Sequence, residues 1–386
     1  MFVYVIFKVY ELYKSKKIKK EFIVFYFVPL LFTSATVVLV NLFRGEGIIL
    51  SLSELIWLGT PFFFLWVFGS RNFDSEKSFI RLLVIQASIS IIVLILGPIT
   101  REINGATYSY ILGGDIWENL GPIIVQAKIS FGNFDKQSLD VMKFAQFHNP
   151  NSLGVYATAF ISTGTYLLIK SKPKMTSVLV ALFLTLIGII TWFNSLTRGP
   201  IFMIGLVFIA ISMRLIFCLK TRSKVIVLVC FFLVSFIFRE KVFEILNHFF
   251  LNLGNISILS RLDGYAYAFE AIFSNPFFGL PIDFQNPVPH ILPLKIMTYY
   301  GVIAGISLSI PFIHITQHTL KRFSRELSKM SPLNSLYPTL LVSIVLGTML
   351  TNGVVVYVLF WIMLAESVAS LDLVWSNIEA LKKKVE

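Results

Sequence analysis

Residues 175–200 read MTSVLVALFLTLIGIITWFNSLTRGP. From Met175 to Asn194 no charged side chain interrupts the run. Its length is the roughly 20 residues that an α-helix needs to cross the hydrocarbon core of a bilayer. The run stops in a polar turn, Asn194-Ser195-Leu196-Thr197-Arg198-Gly199-Pro200, and another apolar run begins at once. Stretches of this kind recur along the chain at 22–42, 48–68, 79–98, 150–169, 200–218, 224–238, 294–314, 335–352 and 354–371, the last two as a tight hairpin around Asn352-Gly353. Of the 386 residues, 56% are hydrophobic and only 14% charged, against about 25% charged in an ordinary soluble domain. A water-soluble fold of this length cannot hide so much apolar side chain, and a disordered chain would not carry it. The expectation is an all-α polytopic membrane protein with about ten spans, and up to twelve if segment 106–130 enters the bilayer.

The net charge of +12 would suggest nucleic acid in a soluble chain. Here the cations follow topology instead. Lys14, Lys16, Lys17, Lys19 and Lys20 precede the first long run, and further Lys/Arg clusters fall at 69–81, 170–174, 214–224, 315–334 and in the tail. Those segments share one side if the spans alternate. The positive-inside rule makes that side cytoplasmic, with both termini on it, and removes the case for nucleic acid. Phe2 to Phe7 come before the lysines, the reverse of a cleaved signal peptide. Residues 1–21 are therefore expected to form an interfacial helix and basic segment, and 22–386 a single transmembrane domain. Cys218 and Cys230 lie in apolar runs without CxxC spacing and read as small buried side chains.

Segments 99–149 and 239–293 are then the two long outer connections, and connections of that length usually carry function. Residues 258–274 read as an amphipathic helix stopped by Asn275-Pro276 and followed by the apolar tip Phe277-Phe278-Gly279. Phosphate loops, HExxH, GxSxG, GxGxxG and DxD-like acidic pairs are all missing, which argues against ATP hydrolysis, zinc proteolysis and a metal-held nucleotide sugar. The 194–200 turn offers Arg198 and Thr197 beside the N terminus of the helix opened by Pro200, a suitable place for an anion such as a lipid phosphate. Arg198 would otherwise snorkel and cap a turn. Arg261 opens the amphipathic helix, where it either faces an anion or pairs with Asp263. His290, in Pro289-His290-Ile291-Leu292-Pro293, is placed either to accept a hydroxyl proton or to hydrogen-bond its own loop. Gly301 and Gly305 beyond it have the spacing of ordinary helix packing. Phe144 to Asn151, with His148, reads mainly as a helix start at Asn149-Pro150-Asn151. Glu54, Gln86 and Glu366 fall inside spans and need partners there. His314 and His318 fall on the cytoplasmic side and receive no role.

In order and spacing, these outer segments resemble the O-antigen polymerase and O-antigen ligase superfamily of bacterial membrane glycosyltransferases. The matching features are Asn149-Pro150-Asn151, Ser195-Leu196-Thr197-Arg198-Gly199, the Arg261 helix running into Asn275-Pro276-Phe277-Phe278-Gly279, and His290 before Tyr300-Gly301-Val302-Ile303-Ala304-Gly305. The resemblance covers roughly residues 144–310 and implies a GT-C-like helical fold in the bacterial inner membrane with a periplasmic site. It implies an undecaprenyl-pyrophosphate-linked oligosaccharide as both donor and acceptor, transfer without a metal ion, and no cofactor. A chain-length regulator and a flippase of the same pathway would be further partners. Carried across, Arg198 and Arg261 would neutralise the pyrophosphate and His290 would orient or deprotonate the acceptor hydroxyl. Thr197, Asn151 and Tyr265 would complete the binding of pyrophosphate and sugar. Polymerases of this kind often place Gly eleven positions after an Arg in each outer loop, but Arg101 finds Leu112 and Arg261 finds Ile272. Polymerase is the first expectation. Ligase is the second, and a lipid-linked-sugar transporter, which would show charges at mid-membrane, is the rival of another class.

Overall fold

The computed structural model describes residues 2–45, 59–102, 150–169, 175–195, 204–212, 255–281, 289, 291–329, 334–352 and 358–376. Almost all of these are helical and none forms a strand, as the all-α expectation requires. The expected span 224–238, the outer segment 103–149 including 106–130, Glu54, and the Gly353 hairpin lie outside the described residues. The chain divides into two compact units. One comprises Met1–Val67, Gly205–Val342 and Thr348–Glu386, the other Phe68–Ile204 with Ser343–Gly347.

The first unit begins with α1 (Phe2–Lys14). Val5, Val9 and Leu12 are buried, whereas Tyr4, Phe7, Tyr10 and Tyr13 face outward. The spacing of four and three residues puts the small apolar side chains on one face. This helix thus packs its aliphatic face on the protein and leaves its aromatic rings and lysines outside, the composition favoured at a membrane surface. The segment behind it is stapled to the other end of the chain. Ile18 and Trp375 form an antiparallel bridge, Lys19 N donates to Val374 O at 2.8 Å, and Ser376 N donates to Lys17 O at 3.0 Å.

Helix α2 (Lys20–Phe43) is long and apolar enough to cross a membrane. Its stretch Ile23–Phe27 is a wider π-helical turn. Phe25 and Tyr26 from this turn both meet His314: Phe25 stacks on the imidazole at 4.0 Å, and the Tyr26 hydroxyl lies 2.9 Å from Nδ1. Helix α3 (Thr60–Gly69) adds Phe63 and Phe64, which are buried with Phe22 and Tyr26 in one aromatic cluster.

The second unit holds α4 (Ser75–Glu102), α5 (Pro150–Ile169) and α6 (Met175–Ser195). Helices α5 and α6 form an antiparallel pair whose contact is set by small residues. A Cβ on Gly164 would lie 2.3 Å from Thr185 Oγ1 and 2.7 Å from Ala181 O; one on Gly188 would lie 2.9 Å from Ala157 O. Backbones can approach this closely only where side chains are absent, as is usual for helix pairs in lipid. Helix α4 joins them through the Tyr166 hydroxyl, which donates to Glu76 Oε1 at 3.3 Å. Within α6, Met175–Trp192 is also long and apolar enough to span, yet only 28% of it is buried. Leu179, Leu182, Leu186 and Ile190 form an exposed stripe along it. A core helix of a soluble protein would bury such a stripe; left outside, it marks a surface for lipid or for other apolar helices. A nine-residue stretch of helix, α7, follows at 204–212, of which only Ile204 belongs to this unit.

The rest of the first unit corrects three sequence expectations. Helix α8 (Asn255–Ser274) begins before residue 258, so Arg261 lies in its second turn instead of opening it. The helix dipole acts mainly within the first turn, which weakens that argument for an anion at Arg261. Second, the run 294–314 is not one helix. It is split at Gly301 into α9 (Leu292–Tyr300) and α10 (Val302–Ser328). Third, Gly301 is therefore no member of a packing pair. It sits at φ 91°, ψ 161°, a region essentially reserved for glycine. Gly305 does serve packing: a Cβ there would lie 2.6 Å from Pro293 O.

Helices α11 (Leu336–Asn352) and α12 (Val358–Ser370) complete the described chain. Every residue of α12 from Leu359 to Val368 is buried, so this helix forms the centre of its unit. Glu366 is fully buried within it and accepts Trp66 Nε1–H at 2.8 Å and Ser370 Oγ–H at 3.0 Å. The carboxyl expected to need partners thus has neutral donors. Glu366→Leu would leave the Trp66 N–H without its acceptor, costing about 1–3 kcal/mol, whereas Glu366→Gln keeps an acceptor oxygen. Thermal unfolding in detergent should rank Gln close to wild type and Leu clearly below it. Equal midpoints for Gln and Leu would show that this contact contributes nothing.

Candidate functional site

The sequence places Arg261 and His290 on either side of the Asn275–Gly279 tip, and the structure shows what that tip is fastened to. Helix α8 turns its small residues inward. Gly264, Ala268 and Ala271 are buried, whereas Leu262, Phe269 and Phe273 are exposed. Close approach needs small side chains, so the expected amphipathic helix is inverted: its bulky apolar residues point outward, as suits an apolar surrounding. Asp263 is exposed and Tyr265 half-buried, one turn beyond Arg261.

Helix α8 stops at the expected punctuation. Asn275 N donates to Ala271 O at 2.9 Å, Pro276 cannot continue the ladder, and Gly279 N turns back to Asn275 O at 2.9 Å. Gly279 has φ 66°, and a Cβ there would fall 2.5 Å from the backbone carbon of Tyr299. The tip is therefore pressed against the end of α9. Two backbone hydrogen bonds fasten it there: Leu280 N to Thr298 O and Val302 N to Pro276 O, both 2.8 Å. The break at Gly301 makes the second bond accessible, because an unbroken helix would commit the Val302 amide to its own fourth neighbour back.

These two bonds join the tip to the end of α9 and the start of α10. Helix α9 starts from Ile291, its extended N-cap, with Pro293 in the first turn. The turn that ends the Arg261 helix is thus tied to the far end of α9, the helix that follows His290 in sequence, while 282–288 and 290 lie outside the described residues. Rings seal the outside of this clasp: Phe277 and Phe278 are exposed, and Phe278 meets Phe43 edge-on at 6.1 Å.

One charged residue among those described, Arg44 just beyond the end of α2, crosses this clasp. Arg44 Nη2 donates to Phe278 O at 2.8 Å and to Tyr299 O at 2.7 Å. No local pattern signals this. Arg44 ends a span beside Gly45, like any snorkelling cation, and its partners are more than two hundred residues away.

The other candidates are placed only in part. Asn151 is the second residue of α5, consistent with Asn149-Pro150 as a helix start. Helix α6 continues through Asn194 and Ser195, which shortens the polar turn; Thr197 and Arg198 lie outside the described residues, as do His148 and His290. Arg261 and Tyr265 belong to the first unit, Asn151 to the second. No protein-family model, no curated protein and no solved structure matches the chain.

Proposed function

We propose that the chain is a polytopic, GT-C-like glycosyltransferase of the bacterial inner membrane, with about ten spans and its site on the periplasmic face. It would join lipid-linked oligosaccharide repeat units into a surface polysaccharide. The observation that carries this reading is the clasp between 275–280 and 298–302, which ties the end of the Arg261 helix to α9, the helix that follows His290 in sequence. A pyrophosphate-binding helix must keep its place through transfer, and a backbone-bonded frame at its end supports that.

In the reaction, a sugar hydroxyl at the non-reducing end of a new unit attacks the anomeric carbon of the growing chain. The bond from that carbon to the pyrophosphate oxygen breaks, and undecaprenyl pyrophosphate departs with the electron pair. His290 takes the hydroxyl proton. Arg261 and Arg198, with Thr197, hold the leaving pyrophosphate, and fixed cations of this kind stabilise charge as it develops. Direct attack inverts the anomeric centre. Asn151 and Tyr265 are assigned to sugar binding, Tyr265 through its ring face.

Incubating the purified protein with undecaprenyl-pyrophosphate-linked repeat units, then sizing the products, tests the reading. A ladder of multiples supports it. Transfer only onto a lipid A-core acceptor would make the protein a ligase, and gradient-driven movement of the lipid without product would make it a transporter. Within this assay, His290→Ala should lower turnover by about 100-fold, the usual share of a general base, while donor affinity stays within about twofold. Weaker donor binding at normal turnover would move His290 from proton transfer to binding.

A further inference from the structure

We propose that the outward face of α1, with the lysines at its end, is a binding site for anionic phospholipid headgroups of the cytoplasmic leaflet. The proposal rests on the membrane reading of the chain and on its sidedness, but not on glycosyl transfer.

An interfacial helix normally sinks its aliphatic face into the bilayer. In α1 that face is already taken, because Val5, Val9 and Leu12 are buried on the protein. What remains outside is a row of rings, with Phe7 69% and Tyr10 63% exposed. Tyr4, Phe7 and Tyr10, with Lys8, Glu11 and Lys14, line an open groove of about 570 Å³. Rings with polar edges and ammonium groups on flexible stems suit the boundary between headgroups and acyl chains.

The cations beside this groove are not used by the fold. Helix α1 ends in a backbone turn: Lys16, at φ 54°, donates its N–H to Tyr13 O, and Lys17 N donates to Leu12 O, both at 2.9 Å. That pattern satisfies the last carbonyls without any side chain. Lys8 pairs with Glu11 at 3.0 Å, which also matches the one acid in the groove, and Lys19 Nζ donates to Asp372 O. Lys14, Lys16 and Lys20 are exposed, and their ammonium groups have no protein partner among the described residues.

The site also cannot leave the membrane surface. Lys20 is the first residue of α2, the helix long and apolar enough to span. From Lys14 to Lys20 a fully extended chain reaches at most about 22 Å. The turn at Lys16 shortens that reach, and the bridge from Ile18 to Trp375 pins it. Anionic headgroups lie within the same zone and favour each nearby lysine by about fivefold in binding.

The full chain in nanodiscs of phosphatidylcholine, with and without about a third phosphatidylglycerol, tests this through lysine reactivity toward a neutral acylating reagent. With phosphatidylglycerol, labelling of Lys14, Lys16 and Lys20 should slow about fivefold or more, and about 1 M salt should reverse the effect. The exposed Lys321 and Lys329 of α10, on the same expected side, should slow less than about twofold. Equal slowing of both sets would mean a general surface charge and overturn the site. Equal labelling in the two lipids would point to a protein occupant or none, and overturn it as well. In native mass spectrometry, combining Lys14→Gln, Lys16→Gln and Lys20→Gln should weaken phosphatidylglycerol retention by about 100-fold, with phosphatidylcholine retention unchanged. Lys321→Gln with Lys329→Gln should leave both as in wild type. Wild-type retention of phosphatidylglycerol by the triple variant overturns the proposal. Neither readout needs polymer synthesis, so a chain that makes no polymer refutes the proposed enzyme and leaves this site to be decided by lipid.

Discussion

Gly301→Ala should unfold or grossly destabilise the first unit, by more than about 3 kcal/mol, and should remove any activity that depends on it. Two independent costs combine. The backbone at φ 91°, ψ 161° is one that residues with a Cβ scarcely adopt. The new methyl would also fall 2.1 Å from Phe277 O, 2.5 Å from Phe277 C and 3.0 Å from Pro276 O. All three atoms are backbone, so no flexible side chain can swing aside. Relief requires the tip to withdraw, which breaks the Val302–Pro276 bond and then the Leu280–Thr298 bond. Gly205→Ala is the control, since a Cβ there meets nothing within 4 Å among the described residues and alanine favours the helix. Thermal unfolding and size-exclusion profiles of the two variants should therefore diverge sharply. A Gly301→Ala protein that melts with wild type would mean the break at 301 is not held in this conformation.

Gly301 also shows why part of this architecture is legible in the sequence and part is not. Starts and stops that depend on local chemistry are readable. Pro150 opens α5, Asn275-Pro276 closes α8, and Pro293 begins α9, as their backbone limits dictate. The break at 301 is not readable by the same means. Residues around it are apolar on both sides, so hydropathy runs through the break, and Gly301 and Gly305 carry the same spacing whether they pack a helix or interrupt one. What separates them is a carbonyl at Phe277, reached only through the fold. Arg44 is hidden for the same reason. Its charge is visible, but its two acceptors are main-chain oxygens, and every residue type has those. Helix α1 adds a third case. A period of 3.6 shows two faces, but Val5-Val9-Leu12 and the Tyr/Phe face are both apolar enough to be the inner one, and packing decides between them.

Arg198→Ala should abolish long polymer while leaving the protein folded in the membrane, and the two competing roles of this arginine can be separated by magnitude. Helix α6 runs through Ser195, and Arg198 comes three positions further along the sequence. A cation there can simply satisfy end carbonyls and the dipole, a role worth about 0.3–1 kcal/mol of stability. Such a loss lowers the amount of folded protein slightly and leaves the turnover of each folded molecule alone. Holding a departing pyrophosphate is a different task. Removing one fixed group that stabilises developing charge costs about 10²–10³ in turnover. Measured per folded molecule, the capping role predicts nearly normal kcat for Arg198→Ala, and the anion role predicts a loss of at least about 100-fold. Arg198→Lys sharpens the comparison. It caps carbonyls almost as well but cannot offer a planar fork to a phosphate, so turnover should recover only in part. Normal ladders of surface polysaccharide in cells carrying only Arg198→Ala would remove Arg198 from the reaction and leave it as the cap of α6.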